Sequence, residues 1–297
     1  MSGASPSRPP EITESRVATV GDQKVRRALP LRTRRTVGAW CFADHFGPTA
    51  VSDANPMDVG PHPHIGLQTV TWLVSGELLH RDNLGSEQLI RPGQLNLMTA
   101  GHGVSHAEEH PPGVAGDLHG IQLWVALPEA TRHGEAAFEH HGELPRTELP
   151  NGQVTVLVGA LAGVSSTARH DTDLVGSELL LRAGRVSLAL RPDFEYAAVV
   201  LEGALGFDGE VPSLVPGHLA YLGSGRDELE FGVGETTRVI LLGGTPFESP
   251  ILMSWNFVAR DRSEVDQATR DWNTGSDRFG EPASGLPRIP APPPIWS

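Results

Sequence analysis

Residues 91–101 read RPGQLNLMTAG, and residues 215–225 read VPGHLAYLGSG. Both have Pro-Gly, then an apolar run, then a closing glycine, and they lie 124 residues apart. A second pair repeats the theme: QTVTWLVSG (68–76) and EYAAVVLEG (195–203), offset by 127. Pro-Gly marks a turn, and a short apolar run bounded by glycine reads as a strand. Two similar all-β units at this period predict two antiparallel β-barrels rather than a many-bladed repeat. The expected domains are residues 13–150 and 151–281. The Pro/Ser-rich ends, 1–12 and 282–297, are expected to be poorly ordered or draped over the surface.

Composition agrees with that class. The 297 residues include 34 Gly and 25 Pro, with few segments of helical periodicity. One helix is predicted late in the chain, RSEVDQATRDW (262–272). Ser263 is its expected N-cap, Asp266 completes a variant capping box, and Val265, Ala268 and Trp272 share one face. A net charge of −13 argues against general nucleic-acid binding. The basic cluster KVRRALPLRTRR (24–35) reads as a solvated strand and turn, because Val25, Ala28, Leu29 and Leu31 interleave its charges. Cys41 is the only cysteine and sits among apolar residues, so a buried, unreactive thiol is expected. The start, MSGASPSRPPEITES, lacks the apolar core of a signal peptide, and no apolar run approaches the ~20 residues of a membrane span. The expectation is a soluble, cytoplasmic monomer with no membrane partner.

The chemistry is carried by two polar clusters. GPHPHIG (60–66) places His62 and His64 on either side of a proline. Pro63 disfavours the helical region for His62, and residues two apart share a face only when the chain is extended. TAGHGVSHAEEH (99–110) offers His106 and Glu108 at the same spacing. Carried across the offset of 127, His62 and His64 land on Ala189 and Arg191; across 124, His106 and Glu108 land on Glu230 and Gly232. The second copy thus keeps the scaffold and lacks the histidines, which favours a site over a structural role. Three imidazoles and one carboxylate suit a divalent transition metal and leave room for water or substrate. HAEEH (106–110) also fits H-x-x-E-H, a zinc-protease pattern that needs a helix. Gly101 and Gly103 before it and Pro111-Pro112 after it leave no helix there. His102, His110, His133, His140 and His141 are expected to be solvated, with HGEAAFEHH (133–141) a polar loop. His45 and His80 lie near apolar strands, as partners of the ligands or as ordinary half-buried histidines.

HPHIGLQTVTWLVSGELLHRDNLG (62–85), IRPGQLNLMTAGHGVSHAEE (90–109) and VRRALP…DHFGP (25–48) resemble the pirin family of the cupin superfamily. The resemblance runs from about residue 16 to about residue 275. It implies a bicupin: two tandem antiparallel cupin-type β-barrels, with metal in the N-terminal one only. It implies His62, His64, His106 and Glu108 as the ligands of one divalent metal per chain. Iron is the usual metal, and nickel, manganese, copper, zinc or cobalt are alternatives. Many pirins carry Glu where this chain has Gln68, so any role of that carboxylate in tuning the metal is lost here. The family implies two functions. One is quercetin 2,3-dioxygenase activity, in which a flavonol and O₂ are the substrates and Glu108, the one carboxylate proposed at the metal, takes the hydroxyl proton. The other is regulation through a protein partner by a metal-dependent redox sensor.

Overall fold

The computed structural model describes residues 9–21, 23–207 and 213–296. Residues 1–8, in the tail expected to be poorly ordered, lie outside the described residues. Strands are the dominant secondary structure, with a single helix, Arg262–Thr274, among the described residues. Among the described residues no helix is long and apolar enough to cross a membrane.

The residues fall into two compact units. One combines the described residues within 1–16, 26–43 and 144–247; the other combines those within 17–25, 44–143 and 248–297. The second of these carries the histidines. The chain changes unit inside the strands Gln23–Leu29 and Trp40–Val51.

In the histidine-bearing unit, one sheet orders the strands Ala137–His141, Leu95–Thr99, Leu67–Ser75 and Gly116–Ala126. A smaller sheet orders Val59–His64, Val104–Glu109, Leu78–Asp82 and Glu87–Ile90. The other unit repeats both patterns. Its large sheet runs His218–Gly223, Glu195–Glu202, Thr237–Gly244, and its small sheet runs Gly184–Ala189, Glu228–Val233, Gly206–Phe207. The sequence repeat is therefore a repeat of strand order, and these strands pair antiparallel.

Ladder register corrects the equivalence drawn from sequence offsets. His106 is paired with His62, and Val104 with His64. The matching inward pairs in the other unit are Phe231 with Val186 and Leu229 with Leu188. All four are buried in one hydrophobic cluster. So the counterparts of the imidazoles are Val186, Leu188 and Phe231, not Ala189, Arg191 and Glu230. The alternating burial of Gly184–Ala189 decides this: Ser187 and Ala189 are exposed while Val186 and Leu188 are buried. Deletion and insertion in the loops shift a simple offset by a residue or more, and a one-residue slip reverses every side chain.

The helix is capped two residues earlier than expected. Asp261, not Ser263, is the N-cap, and its carboxylate accepts from the Glu264 N–H at 3.1 Å. Ser263 instead donates its hydroxyl to Asp261 at 2.6 Å. Asp at this position satisfies an otherwise orphan N–H and favours the positive end of the helix dipole. Val265, Ala268 and Trp272 are buried as expected, packed with Ile65, Phe257 and Phe279. Gly275 ends the helix in the left-handed conformation (φ 70°).

Cys41 is buried, as expected, and forms no disulfide. The expected polar loop at 133–141 is in part a strand: Ala137–His141 pairs with Leu95–Thr99. A sheet edge at Leu95–Thr99 recruits this segment because its backbone groups need partners, whatever the polarity of the side chains.

Candidate metal centre

The strand Val59–His64 contains two prolines, and its place in the sheet explains how. It is the edge strand of the four-stranded sheet, where a missing N–H removes no ladder bond on the open side. On that side the Pro61 carbonyl accepts from the Ile289 N–H at 2.9 Å, so the C-terminal segment covers the edge. Val104–Glu109 lies inside the sheet, between Val59–His64 and Leu78–Asp82. The extended form of HAEE confirms that no helical protease motif exists here.

Two glycines set the ends of these strands. Gly66 (φ 68°) follows the HPHI run, and Gly101 (φ 50°) precedes the second cluster. A Cβ on Gly66 would sit 2.1 Å from the Val258 carbonyl oxygen, and one on Gly101 would sit 2.1 Å from that of Gly134. The Gly66 N–H donates to the Gly101 carbonyl at 2.9 Å, so the two motifs are tied to each other.

His62, His64 and His106 converge. Their ligating atoms all lie within 4.8 Å of one another. Ring centroids are 5.0 Å apart for His62 and His64, 4.3 Å for His62 and His106, and 5.0 Å for His64 and His106. All three are buried, and the Trp124 ring stands edge-on to His64 at 5.1 Å. Burial pushes His62 down to about 4, against a smaller upward pull from the Gly60 carbonyl; a nearby His80 adds to the lowering. Burial likewise holds His64 and His106 well below the ordinary imidazole value, and their mutual proximity adds to it. At neutral pH the three rings are neutral, the state a metal requires.

Hydrogen bonds define which nitrogen each ring presents. His62 Nδ1 lies 2.8 Å from the Gly60 carbonyl oxygen, and His64 Nδ1 lies 3.2 Å from that of Asn256. A carbonyl only accepts, so each Nδ1 carries the proton and each Nε2 is left with a bare lone pair. His64 Nε2 faces His106 Nε2 at 3.0 Å. Neutral imidazoles with outward-held Nδ1–H groups and inward Nε2 lone pairs fit a divalent transition metal.

Glu108 is not part of that three-histidine convergence. Its carboxyl lies beside Thr71 and His80; burial raises its pKa, while His80 and Thr71 pull in the opposite direction. Gln68 is buried and donates to the Thr99 hydroxyl at 3.0 Å, across the register pair Gln68–Thr99.

The other histidines divide. His102 and His133 are exposed, and His140 and His141 are half-buried against Asn96 and Glu139. His110 departs from the expected solvation: it is buried, 3.6 Å from Asp53, with its backbone N–H held by Asp58. Pro111-Pro112 turn the chain there, and the imidazole packs inward. His45 pairs with His119, Nε2 to Nε2 at 2.8 Å. His80 does join the site, contacting His106. The spacing H-x-D at 80–82 was a readable signal, since it is a third i, i+2 polar pair on a strand.

Comparison with known proteins bears on this geometry. Residues 22–125 match the family model for pirin, and residues 178–280 match that for the pirin C-terminal cupin domain. A Pseudomonas aeruginosa protein described as "Putative quercetin 2,3-dioxygenase" is 47% identical over 285 residues, covering 95% of this chain and 90% of its own. A "Pirin-like protein" of Caulobacter vibrioides is 36% identical, covering 89% of this chain and 93% of its own. The crystal structure of a quercetin 2,3-dioxygenase from Acinetobacter baumannii superposes with a TM-score of 0.92 at 42% identity, covering 96% of this chain and 95% of that one. The two domain matches, the identity along nearly the whole chain and the shared fold show that this protein belongs to the pirin family of cupin proteins.

Proposed function

We propose that the protein is a metal-dependent dioxygenase of the quercetin 2,3-dioxygenase type, with each unit closing as a cupin barrel and iron as the metal. The observation that carries the reading is the convergence of three buried imidazoles whose ligating nitrogens all lie within 4.8 Å of one another. The names of the relatives at 47% and 42% identity support the flavonol as substrate class.

His62, His64 and His106 would hold the metal, with Glu108, two residues from His106 on the same strand, completing the set. A bound metal of this kind polarises a hydroxyl or ketone oxygen and, where redox-active, supplies electrons toward O₂. The rest is the work of the chain. Buried walls such as Trp124 beside His64 keep water from the reacting ring. Glu108 takes the proton of the flavonol 3-hydroxyl. Its desolvated carboxyl is a stronger base than an exposed glutamate, which suits proton removal near neutral pH. Gln68 has no basic form in that range and stays with Thr99.

The test is metal analysis of the purified protein, then O₂ consumption and loss of flavonol absorbance with quercetin. Metal-loaded protein is expected to turn over and metal-free protein is not. Loaded protein no faster than metal-free protein would reject the dioxygenase and leave the metal-dependent regulator.

A further inference from the structure

We propose that His80, anchored by Asp82, is a positioning residue that fixes the ring of His106 for metal binding. The inference rests on the metal reading above and concerns residues outside the ligand set.

Two of the three histidines have backbone carbonyls as their Nδ1 acceptors, Gly60 and Asn256. His106 has another imidazole: its Nδ1 lies 3.3 Å from His80 Nδ1. Two ring nitrogens can share only one proton, so which ring donates decides the chemistry. The far nitrogen of His80 resolves the ambiguity. His80 Nε2 lies 3.0 Å from Asp82 Oδ2. A carboxylate only accepts, so His80 donates through Nε2, and in the neutral ring its Nδ1 is then the acceptor. His106 must therefore donate through Nδ1, which leaves Nε2 bare toward His62 and His64. The reverse arrangement would put a proton on His106 Nε2 and block ligation.

Asp82 is itself fixed. Its Oδ1 accepts from the backbone N–H groups of Leu84 (2.9 Å) and Ser86 (3.0 Å). Burial alone would raise this carboxyl, but the hydrogen bonds from His80 and Ser86 hold it below the usual carboxylate range. His80 is buried and stacked on Phe138 at 4.4 Å, with 14° between planes, so its ring cannot swing. The ladder builds this arrangement: His106 lies opposite Asp82, and Glu108 lies opposite His80. The other unit agrees as well: Phe207 lies opposite Phe231 as Asp82 lies opposite His106, so the copy without the imidazoles also lacks the carboxylate. Partners of this kind orient the ligand ring, and their loss commonly costs 10–100-fold in metal affinity.

The test uses the full chain with Zn²⁺ as a diamagnetic probe. In wild type, ¹⁵N NMR of the imidazoles is expected to show His106 protonated at Nδ1 and metal-bound at Nε2, and His80 protonated at Nε2 alone. This reading needs no variant, so it stands if a variant misfolds. His80→Phe, which keeps the stack on Phe138, is expected to weaken Zn²⁺ about 10–100-fold and to make the His106 ring proton exchange rapidly. His80→Gln, which restores an acceptor oxygen, is expected to regain most of that affinity. His80 protonated at Nδ1 in wild type, or His80→Phe binding as tightly as wild type, overturns the inference alone. A wild type that binds no metal overturns the metal reading and this inference with it.

Discussion

His64 Nε2 and His106 Nε2 face each other at 3.0 Å, while the Nδ1 atom of each ring is engaged elsewhere, by the Asn256 carbonyl and by His80. Two bare lone pairs at that distance repel unless a cation lies between them. Metal is therefore expected to stabilise the fold as well as equip the site. At a free metal concentration of about 100 times Kd the gain is about 2.7 kcal/mol. Thermal unfolding with and without metal should show a clear rise in Tm for wild type and none for the His62→Ala/His64→Ala variant. An equal rise in both would place the metal elsewhere.

The metal-free protein should lose stability in mild acid. Folded His62 resists protonation down to about 4, and His64 and His106 are lowered too, whereas an unfolded imidazole titrates near ~6.5. The unfolded chain thus binds more protons between those values. Stability is fully present above about 6.5 and falls as pH drops toward 4, by roughly 3 kcal/mol for His62 alone. Urea unfolding at pH 7.5 and pH 5 checks this, with a shallower dependence expected for His62→Gln. An identical unfolding free energy at both values would contradict the neutral buried cluster.

Glu108→Gln separates binding from chemistry. The amide keeps the shape of the side chain and loses its basic form. Flavonol turnover is expected to fall by about 100-fold or more, in line with removal of a general base, and metal content to fall much less. Metal analysis beside O₂ uptake decides between this and a ligand role alone, in which content and turnover would fall together.

Asp261→Ala should act on stability only. Loss of the N-cap costs about 1 kcal/mol, because the Glu264 N–H loses its acceptor. Chemical denaturation should register the change while metal affinity stays within error of wild type. A large loss of metal would mean that the helix end is coupled to the histidines.

The sequence by itself determined the all-β class, the repeat and the candidates His62, His64, His106 and Glu108. These were legible because strand periodicity is two, so side chains at i and i+2 share a face whatever the rest of the fold does. The lateness and the apolar face of the helix were legible for the same reason, from a period of 3.6. Tertiary structure alone decided what lies far apart in sequence or depends on a choice between equal local options. Both Asp261 and Ser263 can cap a helix, and only the backbone path into it selects Asp261. Register, not offset, put Val186, Leu188 and Phe231 where the other unit has imidazoles. Trp40 packs against strands far along the chain in the same unit, its indole N–H donating to the carbonyls of Val175 at 3.0 Å and Gly243 at 3.2 Å. Nothing local in AWCF marks that destination. The proton positions of the site are also tertiary, because a ring nitrogen's proton is set by its acceptor. For His64 that acceptor is the carbonyl of Asn256, 192 residues away.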